Sequence, residues 1–119
     1  MTFRSKFPLL AVAGALIVPA GAAAHHGWSS YDASKVLTIT APLKAVSWGN
    51  PHGSAKVTWQ KKDWDVVLAP VSRMEARGLT REMLTSGKPV TLVGYPRSDG
   101  TAEMRIERVK VGDKTVELR

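Results

Sequence analysis

The chain has 119 residues, with 17 Lys and Arg against 10 Asp and Glu and a formal charge of +7. That length fits one domain. There is no cysteine, which excludes disulfides and thiolate metal sites and leaves His, carboxylate, Met sulfur or the chain terminus as metal donors. The basic excess suits anionic partners or a solvated basic face.

Met1–Ala24 follows the plan of a signal peptide. Arg4 and Lys6 supply the positive end, and Phe7–Val18 is an apolar run of 12 residues interrupted by Gly14. Pro19 breaks the run, and Ala22-x-Ala24 supplies small residues for cleavage. Twelve residues fall short of the ~20 that cross a hydrocarbon core. Cleavage after Ala24 leaves a chain of 95 residues that begins at His25 and has no transmembrane segment. The expected location is periplasmic or secreted, so nucleic acid is not an expected partner.

Residues 25–35 show no period and are rich in turn formers: Ser29, Ser30, Asp32 and Ser34. They read as an irregular arm that packs Trp28 and Tyr31 on a domain spanning 36–119. Within Val36–Trp48, Leu37, Ile39, Ala41 and Leu43 share one face, and the apolar positions then slip to Val46 and Trp48. A one-residue slip is the mark of a β-bulge, and Pro42 belongs at a bulge or an edge. This predicts one long, bent first strand.

Gly49-Asn50-Pro51-His52-Gly53 is a turn. Ala55, Val57 and Trp59 predict strand two, Gln60–Asp63 a polar hairpin loop, and Trp64, Val66 and Leu68 strand three, closed by Pro70. Ser72–Arg77 suits a short helix stopped by Gly78, and Thr80 can cap a second turn of helix that ends at Gly87. Val90–Tyr95 predicts strand four, and Ser98-Asp99-Gly100 a turn. Ala102, Met104 and Ile106 share a face before Val109 and Val111 take over, which is a second slip. Gly112-Asp113 turns the chain into a short last strand over Thr115–Leu118. Three strands, a short helical connection and two or three further strands predict a five- to six-stranded, OB-like Greek-key barrel.

Two motifs carry a resemblance. His25-His26-Gly27-Trp28-Ser29-Ser30-Tyr31-Asp32, followed by Val46-Ser47-Trp48-Gly49-Asn50-Pro51-His52, resembles a family of short exported bacterial proteins catalogued as a domain of unknown function. The resemblance spans the whole chain after residue 24. It implies a small β fold in the envelope of Gram-negative bacteria and brings no activity with it.

The three histidines, His25, His26 and His52, all fall in or beside loops. If His25 is the first residue, its α-amine and ring nitrogen can chelate one ion, and His52 would complete a T-shaped N3 set, a histidine brace. Such a nitrogen set favours Cu(II). His26, Tyr31 or Asp32 could hold a weaker position. The competing reading of these histidines is a polar chain start and a turn residue.

A rival site uses Trp48, Trp59 and Trp64 on strands one to three, where OB-type barrels bind oligosaccharides. Lys44, Lys56, Lys61 and Lys62 could hold an anionic glycan, lipid or protein there, with Trp28 and Trp48 the more exposed rings and Asn50 beside them. Period two places Trp59 and Trp64 toward the core. Asp63 and Asp65 share one side of a strand and read as charged outer positions. With no nucleophile elbow, zinc helix or phosphate loop, the expectation is a protein that binds rather than catalyses.

Overall fold

A strand that changes partners midway sets the architecture. The computed structural model describes residues 27–119, which form seven strands and two short helices. β1 (Leu37–Ala41) and β2 (Lys44–Ser47) are the two halves of the predicted first strand, separated at Pro42 and Leu43. Pro42 has no N–H to give to a ladder, so pairing cannot run through it. β1 pairs antiparallel with β5 (Val90–Pro96), and β2 pairs antiparallel with β3 (Ser54–Trp59). In β2, Lys44 lies opposite Lys56 but Ser47 opposite Ser54, so the strand carries one extra residue, and Ala45 there has φ +47. This is the slip visible between Leu43 and Val46.

The remaining strands are β4 (Lys62–Val67), β6 (Glu103–Val111) and β7 (Lys114–Glu117). The sheet order is β1-β5-β6-β4-β3-β2, with β7 on β6. Because β1 and β2 are neighbours in the chain, the two ends of that order are drawn together and the sheet curls into a half-closed barrel. β4 and β6 run parallel and every other pair is antiparallel. The mainly β, OB-like expectation therefore holds. The count is seven because the bend divides the first strand and the short last strand also forms.

The helical connection lies between β4 and β5 as expected, in two pieces: α1 (Val71–Ala76) and α2 (Arg81–Thr85). Gly78, at φ +88, ends the first, and the Thr80 hydroxyl accepts from Met83 N to cap the second. The hairpin between β3 and β4 is tighter than the predicted Gln60–Asp63 loop. Gln60 and Lys61 alone make the turn, both at positive φ, while Lys62 and Asp63 pair with Trp59 and Thr58. Nothing in Gln-Lys announces such a turn, whose usual signal is Asn-Gly.

The core follows the alternation. Ile39, Val57, Val66, Leu92, Met104, Ile106 and Val109 are buried inside the sheet, and Met74, Leu79 and Leu84 from the helical connection join the same cluster. Each such side chain contributes about 1.5–3 kcal/mol relative to exposure. The second slip is also present. Val93 faces Arg108 while Gly94 faces Ile106, which leaves Glu107 as the extra residue of β6. Gly94 is required at that crossing, because a Cβ there would lie 2.2 Å from the Arg105 carbonyl oxygen. Gly94→Ala should destabilise the protein by about 1–3 kcal/mol. Urea unfolding would report this as a lowered midpoint, and an unchanged midpoint would contradict the described crossing.

Candidate functional site at the docked arm

The arm is fastened to the turn between β5 and β6. Asp32 N donates to Pro96 O at 2.8 Å, Ser98 N donates to Ser30 O at 2.9 Å, and Tyr31 forms an antiparallel bridge with Arg97. Asp32 is occupied locally. Its Oδ1 accepts from Ser34 Oγ at 2.5 Å and Ser34 N at 3.0 Å, and these bonds hold its carboxyl below the usual range. The Tyr31 hydroxyl donates to Glu103 Oε2 at 2.5 Å. Burial, then the bond and charge of Glu103, push the Tyr31 phenol up to about 12.

Trp28 is the anchor. The guanidinium carbons of Arg105 and Arg119 each lie 4.4 Å from its ring centroid, and Tyr95 meets it edge-on at 6.2 Å. Cation–π contacts of this kind contribute about 0.5–2 kcal/mol each, with the larger values where water is excluded. The β6 pattern explains the contact. Met104 and Ile106 are buried, so Arg105 between them projects from the outer surface.

Register carries this position across the sheet. Tyr95, Arg105, Val67, Ser54 and Ser47 are successive partners on β5, β6, β4, β3 and β2. At about 4.8 Å per strand, Ser54 lies roughly 10 Å from Arg105 along this row. His52 precedes Ser54 by two residues, in the turn that leads into β3. That turn is fastened to the end of β4, with Gly53 N donating to Ala69 O and Leu68 N to Gly53 O, both at 2.9 Å. The half-buried His52 has Nδ1 3.1 Å from Gly53 O. A carbonyl oxygen can only accept, so Nδ1–H is the donor in this contact.

His25 and His26, like Met1–Ala24, fall outside the described residues. Tyr31 and Asp32 are committed at the β5–β6 turn, and Asn50 is exposed in a cis bond to Pro51. Among the described residues no three His, Cys, Asp or Glu side chains surround one point.

The expectation that Trp28 and Trp48 are the freer rings needs correction, since all four indoles are half-buried. Trp48 packs on the core and its Nε1 donates to Glu75 Oε2 at 3.4 Å, because α1 lies beside it. Trp59 and Trp64 pack on the core and on each other at 5.8 Å, with Lys62 over Trp64. Lys44 pairs with Asp63 and Lys56 with Asp65, so both carboxylates sit in outer ion pairs. Asp63 is held below its ordinary range by Thr58 first and then Lys44.

Comparison with known proteins adds one finding. The sequence model of a family of unknown function (DUF6152) matches residues 14–107. No curated protein matches the chain.

The Tyr31–Glu103 bond has a measurable consequence. The phenol keeps its proton longer in the folded chain than in the unfolded one, so its contribution to stability is complete below pH ~10, the ordinary phenol value. That contribution is lost as pH rises through about 12. Ultraviolet titration of phenolate should show both tyrosines ionising late, Tyr95 because it donates to Glu107, with the later of the two steps absent in Tyr31→Phe. A Tyr31 that titrates near 10 in the folded chain would contradict the bond.

Proposed function

The chain belongs to that family of unknown function, so its activity has to be read from its own residues, and we propose that it is an exported protein that binds Cu(II) through a matured N-terminal histidine and His52. In this reading Met1–Ala24 is removed after Ala24. The α-amine and imidazole of His25 chelate the ion, His52 supplies a third nitrogen, and His26 holds a weaker position. Binding rather than catalysis is the role, in the periplasm or outside the cell. Among the described residues no helix is long and apolar enough to cross a membrane.

The observation that carries the proposal is the docking of Trp28 on Arg105, on the strand row that leads across to Ser54 and the Asn-Pro-His turn. Trp28, which follows His25 by three residues in the sequence, therefore sits on the row that leads to the turn holding His52. The contact of His52 Nδ1 with Gly53 O supports the same reading, since metal-binding imidazoles commonly give their other N–H to a carbonyl. Absence of cysteine directs the metal preference to nitrogen donors and so to Cu(II) over thiophilic ions. The rival reading, an anionic glycan, lipid or protein on the tryptophans of the first strands, has less support. Those rings are spent on the core and on Glu75.

Titration of the processed protein, followed by intact mass, should show one copper per chain. His25→Ala, or one residue added before His25, should weaken binding at least about 100-fold, the upper end of what losing even an outer-sphere partner costs. Trp28→Ala should weaken it about tenfold by freeing the arm, with every ligand retained. Protons compete for the same nitrogens, so affinity should fall in acid. Equal affinity in the extended form would overturn the reading.

A further inference from the structure

We propose that Met83 is a site of oxidation by hydrogen peroxide, and that its sulfoxide caps α2 better than the thioether it replaces. The site requires neither copper nor the processed N-terminus.

Two observations select Met83. The first is access. Met74 and Met104 are fully buried inside the core cluster. Met83 is half-buried at the margin of that cluster, on a segment otherwise open to water: Thr80, Arg81, Glu82 and residues 85–89 are all exposed. Among the described residues it is the one methionine that is not fully buried. The chain has no cysteine, so no thiol competes for the oxidant.

The second observation is the bond that its sulfur makes. Thr80 stands just before α2, and its hydroxyl accepts from Met83 N at 3.4 Å. In return Thr80 N donates to Met83 Sδ at 3.5 Å. This reciprocal arrangement is a capping box, in which the residue in the place of Met83 is ordinarily Glu or Gln, whose side chain offers an oxygen. A thioether sulfur is a weak acceptor, so the Thr80 N–H is the poorly satisfied half of this cap.

Oxidation repairs that half. The sulfur lone pair attacks one oxygen of hydrogen peroxide, and an S–O bond forms as the O–O bond breaks. The departing hydroxide takes the proton from the transferred oxygen and leaves as water. Sulfur is oxidised to the sulfoxide and the peroxide is reduced. The new oxygen is carried on the δ atom, as the amide oxygen of glutamine is. The modified side chain therefore turns Thr-x-x-Met into the equivalent of Thr-x-x-Gln, with an oxygen to accept from Thr80 N. The same change at Met74 or Met104 would strand a polar oxygen in the core. The cap gives the oxidised Met83 a partner that the two buried methionines lack.

The test treats the folded protein with hydrogen peroxide in the presence of chelator and locates the added oxygen by mass spectrometry of its peptides. Met83 should oxidise at least about tenfold faster than Met74 and Met104, which react only when the core opens. Met83→Leu, close in volume, should abolish the fast uptake. In the singly oxidised protein, hydrogen exchange at the Thr80 amide should slow about two- to tenfold, the gain from a better acceptor. The urea midpoint should stand at or above that of the unoxidised protein, and Met83→Gln should slow the Thr80 amide without peroxide. Similar oxidation rates at all three methionines, a Thr80 amide that exchanges no more slowly after oxidation, or a lowered midpoint overturns the proposal.

Discussion

One missing N–H organises this fold. Pro42 interrupts a strand that would otherwise pair along its whole length, so the halves on either side bond to opposite ends of the sheet. The sheet must then curl, and curling allows β4 and β6 to run side by side in parallel. That parallel contact joins the exit of β4, with the Asn-Pro-His turn fastened to it, to the Arg105 flank where the arm docks.

The arm shows how polar and aromatic terms divide the work. Backbone bonds to Pro96 and Ser98 fix its register, while Trp28 packs against two guanidinium groups and the edge of Tyr95. Tyr31 and Asp32, which the sequence also offered as metal donors, are used to hold the arm in place. A donor engaged in a 2.5 Å bond to Glu103, or to two Ser34 groups, is poorly available to a metal. The proposed copper ligands therefore reduce to the three histidines and the α-amine.

Much of the fold was legible because period two survives wherever one face is buried. The slips at Leu43–Val46 and Ile106–Val109 could be read as bulges before any pairing was known, and both are present. The Gln60–Lys61 turn was not legible, because its positive φ values are imposed by the flanking strands and not by residue preference. The site was legible only in part. The histidines and Trp28 could be named, but Arg105 and Arg119 could not. An arginine between two buried residues of a strand reads as an ordinary outer position, and only the fold brings the distant arm back over it. For the same reason Trp48 read as free, since its Glu75 partner arrives from the helical connection.

The account stands or falls on whether His25 and His52 share one ion. Pulsed electron paramagnetic resonance on the processed protein, loaded with one equivalent of Cu(II), counts the imidazoles bound. Two strongly coordinated imidazoles beside an amine nitrogen, those of His25 and His52 with His26 only weakly coupled, are predicted, falling to one strongly coordinated imidazole in His52→Ala. An unchanged spectrum in His52→Ala would contradict it.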